Sequence, residues 1–279
     1  MFRYREIRPS LRLSRFVSSF WLLEHDGSYA VPQRVVPDGH AELILNWGEP
    51  YRHVVKDTWK SQPRVFFAGQ IDGPLMLKPG GRTKMLGIGF HPHGASRLFR
   101  QPMQELAGTF TPAEDLPPAL ARRLDEVLDS RNPVGAAEAA LWSAQDAARG
   151  GDVLVEEAVR LITQRQEGPD LTRLARYLGL SLRQLERRFQ AAVGLPPKRF
   201  SRIHRFSQVF RALEQHSGDW VAAAIACGYY DQAHLIRDCK ALSGQTPAIL
   251  LADDADLARH FYQRFGLSHS SNTSRRHSR

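Results

Sequence analysis

The feature that most constrains this chain is a pattern that occurs twice in its last hundred or so residues. A capping residue opens a short amphipathic helix and a glycine ends it. A second cap then opens a longer amphipathic helix, and a glycine and a proline close that one. In the first instance Asp170 caps a helix with Leu171, Leu174, Ala175 and Leu178 on one face, the i, i+3, i+4, i+7 stripe of a helix with one buried side. Gly179 follows where a left-handed C′ residue is expected. Ser181 and Gln184 have capping-box spacing, each able to satisfy the other's backbone amide. Leu182, Leu185 and Phe189 then face one way, while Arg183, Glu186, Arg187 and Gln190 face the other. Gly194 and Pro196-Pro197 stop the helix. In the second instance Asp219 caps a helix with Trp220, Ala223, Ala224 and Cys227 on one face, ended by Gly228. Asp231 caps the next, with Leu235, Cys239 and Leu242 inward and Gln232, Ile236, Arg237 and Lys240 outward, before Gly244 and Pro247. The two second helices begin fifty residues apart, at Leu182 and Gln232. A longer helix carrying Phe200, Ile203, Phe206, Phe210 and Leu213 joins them.

A short helix, a tight glycine turn and a second amphipathic helix make a helix-turn-helix. Its second helix is narrow enough to enter a DNA major groove, where arginine is the right donor for guanine O6 and N7. Charge points the same way. The chain carries a net charge of +9, and the stretch from Leu171 to Arg211 holds ten Lys/Arg against the single acid Glu186. Such a basic segment inside structured sequence is the footprint of a polyanion binder, although a solvated basic face would look similar.

The chain's 279 residues suit two domains, and its 42% hydrophobic and 24% charged residues are an ordinary globular balance. The first ninety residues carry short apolar runs at Phe16–Leu23, Leu43–Trp47, Val65–Ala68, Leu75–Leu77 and Met85–Phe90. Between them lie Asp26-Gly27, Asp38-Gly39, Asp72-Gly73 and Pro79-Gly80-Gly81. Many short strands with regular turns predict a sandwich or small barrel. Helical texture follows over about Leu120–Leu128 and Gly135–Ala148, and Gly150-Gly151 then marks a break. The expected fold class is α+β. Residues 1–150 form a β-rich domain with a helical extension, residues 151–252 an all-α domain with two helix-turn-helix units, and residues 253–279 a C-terminal helix and a disordered tail rich in Ser, Arg and His. The start, MFRYREIRPS, lacks an apolar h-region, so no signal peptide is expected. No apolar run spans a bilayer. Two cysteines, Cys227 and Cys239, give no disulfide framework, and both fall on buried helix faces. A cytoplasmic protein with no membrane partner fits best.

The stretch LTRLARYLGLSLRQLERRFQAAVGLPPKRF, followed by IACGYYDQAHLIRDCKALSGQTP, resembles the AraC/XylS family of transcriptional regulators over about Val153 to Leu250. Two departures stand out: Ala233 where the family usually has Ser, and Cys239 where it usually has Phe. The resemblance implies two recognition helices set in successive major grooves on one face of double-stranded DNA. It also implies base-edge contacts from Arg183, Glu186 and Arg187 in the first helix and from Gln232, Ile236 and Arg237 in the second, with Gln190 and Lys240 on the same faces. Lys198, Arg199 and Arg202, at the start of the connecting helix, are expected to meet phosphates or solvent. The stretches PDGHAELILN and LGIGFHPHGASRLF resemble the cupin-like sensor domain of one branch of this family. Such domains bind small effectors or mediate dimerisation, so a small-molecule effector, a homodimer and RNA polymerase are implied partners. Asp38 and Glu42 are candidate effector-binding residues, although an Asp-Gly pair is more commonly a turn. His91 and His93 form an H-x-H pair, with His40, Glu42 and His53 as conceivable co-ligands. Nothing fixes these together, so no metal, no cofactor and no catalytic residue is expected. An enzyme tethered to DNA and a ligand-free adaptor are the rival readings of the N-terminal half.

Overall fold

The protein is described from a computed structural model covering residues 2–27, 31–146, 150–164, 168–216 and 218–252. The expected C-terminal helix and tail at 253–279 lie outside the described residues. Among the described residues ten strands make up two antiparallel sheets: β1 (Phe2–Ile7), β2 (Val17–His25), β3 (Gln33–Val35), β4 (Glu42–Asn46), β5 (Arg52–Val55), β6 (Thr58–Ser61), β7 (Val65–Ala68), β8 (Leu75–Lys78), β9 (Thr83–Phe90) and β10 (Phe110–Pro112). The larger sheet runs β1-β2-β9-β4-β7-β10 and the smaller β3-β8-β5-β6. All five apolar runs of the sequence are strands.

The four runs that lie in the large sheet are continuous rather than alternating because that sheet is covered on both faces. Leu43, Leu45, Phe67, Leu86, Ile88 and Phe90 pack away from the small sheet, in one core. Trp21, Ile44, Phe66 and Met85, from the same strands, point the other way into a second core with Tyr51 and Leu77 of the small-sheet side. The first core is closed by α1 (Pro118–Asp129) and α2 (Pro133–Asp146), through Leu120, Leu124, Val127, Ala137 and Leu141. Trp47 fastens this helical pair, its Nε1 donating to the carbonyl of Leu128 at 2.7 Å.

The described residues from 153 onward form helices α3 (Val153–Thr163), α4 (Leu171–Tyr177), α5 (Leu182–Val193), α6 (Pro197–Gln215), α7 (Trp220–Ala226), α8 (Gln232–Ser243) and α9 (Pro247–Ala252). The buried stripe of α6 splits into two cores. Its first half, Phe200, Ile203 and Phe206, packs with Val155, Leu174, Leu185 and Phe189 of α3, α4 and α5. Its second half, Val209 and Leu213, packs with Ala223, Ala224, Cys227 and Leu235 of α7 and α8. Phe189 and Phe200 meet at a tilt of 54°, ring centroids 5.5 Å apart, both fully buried. Burial of a side chain of that size contributes roughly 1.5–3 kcal/mol.

The β-rich and helical parts share an interface. Val36, just after β3, is a member of the α3–α6 core. Gly39 lies against α6 so closely that an added Cβ would sit 3.0 Å from Phe200 Cε2. Arg97 pairs with Glu156 of α3, Arg199 of α6 bonds the backbone carbonyl of Asp72, and Arg34 Nη1 donates to the carbonyl of Ser243 at 3.0 Å.

Candidate nucleic-acid interface

Each helix of the two units starts where a side chain satisfies its free amides, as helix termini require. Asp170 Oδ1 accepts from the amides of Thr172 and Arg173 at 2.9 and 3.0 Å. Ser181 and Gln184 form the full capping box, with 2.8 and 3.2 Å bonds. Asp219 accepts from Val221 and Ala222, and Asp231 from His234 at 2.6 Å. Both second helices end on a left-handed glycine, Gly194 (φ 94°) and Gly244 (φ 74°). Each of these glycines also touches the N-terminal part. An added Cβ would lie 3.1 Å from the Met103 carbonyl oxygen in the first case and 3.2 Å from Arg34 Nη1 in the second. The N-terminal part therefore abuts both second helices at their C-terminal ends.

The opposite faces stay open. Arg183, Glu186 and Arg187 on α5, and Gln232, Arg237 and Lys240 on α8, are exposed; Gln190 and Ile236 are half-buried. Leu182 departs from the inward placement expected of it and is 39% exposed. It is the first residue of α5, ahead of the turn that reaches the core with Leu185. Ala233 is exposed, and Cys239 is buried with its Sγ 3.7 Å from Ser243 Oγ.

The candidate phosphate contacts have different surroundings. Lys198 is exposed. Arg199 is engaged with Asp72. Arg202 Nε donates to Asp238 Oδ1 at 2.7 Å, and Arg205 Nη2 to Asp238 Oδ2 at 3.2 Å. The Arg205 guanidinium also lies 4.7 Å over the Tyr229 ring. Asp238 is only 4% exposed, so this cluster pins α8 to α6 rather than adding negative charge to the outer face. The first unit has a looser counterpart. Asp152 caps α3 and accepts two bonds from Arg188 of α5, at 2.7 and 2.9 Å. Burial alone would raise the Asp152 carboxyl, but the bonds from Arg188 and the Val155 and Leu154 amides outweigh it and hold it below its usual value.

Between the two sheets lies a cavity of about 110 Å³, walled largely by aliphatic and aromatic side chains, with Asp38, His40, Glu42 and Gln62 among the polar ones. Trp21 Nε1 donates to Glu42 Oε1 at 3.0 Å. Both candidate effector residues thus face one cavity. A second cavity, of about 280 Å³, lies against α3 and α6 and shares Asp38 and His40 with the first. His91 and His93 line it, ring centroids 6.1 Å apart, together with Glu156, Phe200 and His204. Burial lowers the pKa of both His91 and His93. His53 lies elsewhere, beside Phe110. No group of three or more His, Cys, Asp or Glu among the described residues is arranged to hold a metal. Both cysteines are buried, and burial pushes the Cys227 thiol up to about 11, away from nucleophilic reactivity. No helix among the described residues is long and apolar enough to cross a membrane.

Residues 174–253 match the family described as a helix-turn-helix domain. Residues 5–112 match the family described as a domain of unknown function (DUF6597). No curated protein matches the chain. Among solved structures it is similar to ToxT from Vibrio cholerae, at 8% identity over 90% of this chain and 98% of that one, with a TM-score of 0.49. A ToxT structure with bound unsaturated fatty acid is 10% identical over 83% and 94%, TM-score 0.46. The AraC-like transcriptional activator CuxR is 16% identical over 80% and 91%, TM-score 0.27. A helix-turn-helix domain with two open second helices, set behind a two-sheet domain, defines a DNA-binding transcription regulator. Its helix-turn-helix domain is the stretch from 174 to 253.

Proposed function

We propose that this regulator reads two successive major grooves with α5 and α8, and that a small effector in the N-terminal domain modulates the reading. The observation that carries this is the pairing of two solvent-open recognition faces across one 19-residue helix, α6. At 1.5 Å per residue that helix is about 28 Å long, comparable to the roughly 34 Å between successive major grooves on one face of DNA. Arg183, Glu186 and Arg187 on α5, and Gln232, Ile236 and Arg237 on α8, take the base edges. Gln190 and Lys240 border them, and Lys198 meets a phosphate. Arg199 and Arg202 lie on the same side of α6 and can add long-range attraction, but both already have acidic or carbonyl partners. Residues 151–252 are proposed as the DNA-binding domain and residues 1–150 as a sensor that does no chemistry of its own. Pairing of two chains and contact with RNA polymerase belong to the same proposal.

Selection of binding sites by the full chain from a randomised DNA library tests it. The expected result is an asymmetric site with two different sub-sites about 10–10.5 base pairs apart, because the two helices differ in sequence. A selected site with one sub-site, or with two identical ones in inverted orientation, overturns the two-groove reading for a single chain.

A further inference from the structure

The turns of the two helix-turn-helix units follow the same course up to one residue. Gly179 and Gly228 are both left-handed, with φ of 69° and 73°. The Gly179 amide donates to the Arg176 carbonyl, and the Gly228 amide to the Ile225 carbonyl. The next amides, of Leu180 and Tyr229, reach back to Ala175 and Ala224 at 2.9 and 3.0 Å. Leu180 packs against the core of the first unit, and Tyr229, 3% exposed, belongs to the core of the second. Leu180 and Tyr229 are thus equivalent. After Leu180 the cap Ser181 follows at once, whereas Tyr230 stands between Tyr229 and the cap Asp231. Residues that only lengthen a turn are small or polar as a rule; this one is an aromatic ring, 92% exposed.

Its place in the fold decides what it can meet. The C-terminal end of α8 is shut off by the N-terminal part, where Arg34 donates to the Ser243 carbonyl and crowds Gly244. The open end is the N-terminal one, and recognition helices address base edges with their N-terminal residues. Gln232 opens α8, so a residue two positions ahead of it stands at the groove wall, which is made of phosphates. Tyr229 fixes the turn there, its ring under the Arg205 guanidinium at 4.7 Å and edge-to-face with His234 at 5.0 Å. A phenol suits the position, since its O–H donates to a phosphate oxygen without adding a charge.

We infer that Tyr230 is a DNA-backbone contact of the second unit, its hydroxyl donating to a phosphate at the edge of the groove that α8 enters. This rests on the two-groove reading above and adds a residue to it. Tyr230→Phe in the full chain removes the hydroxyl and keeps the ring. Because the side chain is exposed, urea unfolding of the variant should match that of the wild type. Binding to the selected two-part site should weaken roughly tenfold, the low end for one hydrogen bond to a charged group, and equally for every base sequence. The salt dependence should keep its slope, because a neutral donor releases no counterion of its own, whereas loss of a cationic contact lowers the slope. Operators carrying one neutral methylphosphonate at successive linkages locate the contact. One such linkage beside the second sub-site should weaken the wild type about as much as the mutation does, and should not weaken Tyr230→Phe further. Wild-type affinity in Tyr230→Phe, or a loss confined to one base position, overturns the phosphate assignment. So does a methylphosphonate map that is the same for both proteins. A wild type that selects a single sub-site overturns the two-groove reading itself, before any variant is compared.

Discussion

The two helix-turn-helix units share a backbone plan and differ in what surrounds it. In the first, α4 exposes Arg173, Arg176 and Tyr177, and α5 exposes Arg183 and Arg187. In the second, α7 exposes Val221 and Ile225, and Tyr230 at the following turn is 92% exposed. The turns also differ in length. Ser181 caps α5 two residues after Gly179, whereas Asp231 caps α8 three residues after Gly228, and Tyr230 is the residue gained. The fastening is reversed in strength. The basic first unit is tied by a half-exposed pair, Asp152–Arg188, while the less basic second unit is tied by a buried acid between two arginines. Charge exposed to solvent and charge that holds helices together are thus separate populations. A count of basic residues along the chain merges them: of the ten between Leu171 and Arg211, Arg188, Arg199, Arg202 and Arg205 have partners within the protein.

The largest expected effect comes from removing the anchor of the second unit. Asp238→Ala leaves Arg202 and Arg205 without their acid, and breaking a buried pair in this way costs about 3–5 kcal/mol. Urea unfolding measures it; a loss below about 1 kcal/mol would show that the cluster is solvated and the contrast between units is false. Next is acid sensitivity at the helix joining the units. Burial pulls His204 down to about 4 from its ordinary 6.5, although Nε2 bonds the Thr163 carbonyl at 3.2 Å. Between those values the unfolded chain binds the extra proton, so stability falls as pH drops from about 6.5 to about 4 and is unchanged above that window. The full loss is about 3 kcal/mol. His204→Gln should flatten the pH profile of unfolding there, leaving what His91 and His93 contribute in the same direction.

Base reading ranks third. Arg187→Ala should weaken binding by roughly 1–3 kcal/mol and relax preference at one base position. Arg237→Ala should cost less. If Arg187→Ala weakens all sequences equally in a randomised library, its contact is to phosphate. If Arg237→Ala costs more, the second unit leads. Asp152→Ala removes both a cap and the looser pair, and about 1 kcal/mol of stability is expected to go with it. Smallest is Lys198→Ala, which should weaken specific and nonspecific DNA alike and reduce the salt dependence by about one phosphate contact.

The helices of both units were legible because caps, glycines and stripes are local signals. Five strands were not. The β5–β6 hairpin turns on Lys56-Asp57, with φ of 48° and 60°, where Asn-Gly is the usual signature. Strand β1 reads FRYREI, charged enough to hide its pairing along β2. Within the site, no local pattern reveals Asp238 as an anchor. Its neighbours in space, Arg202 and Arg205, lie more than thirty residues away, and only the fold brings them together. Asp38 and Glu42 were found as a pair because a short turn and strand carry both. Their shared cavity also needs β2, β8 and β10.

The segment from Val36 to Glu42 spans both halves of the molecule within seven residues. Val36 is buried among the helices, Gly39 touches Phe200, and Asp38 and Glu42 look into the cavity. Linkage through such a segment runs in both directions with equal magnitude. If a molecule in the cavity loosens or tightens the grip on DNA by some factor, DNA must change the hold on that molecule by the same factor. The operator is then itself an effector of the sensor, and the occupancy of the cavity differs between chains on their sites and chains in free solution. A methyl group at position 39 would be enough to disturb that exchange, since it would press on Phe200 before any ligand arrived.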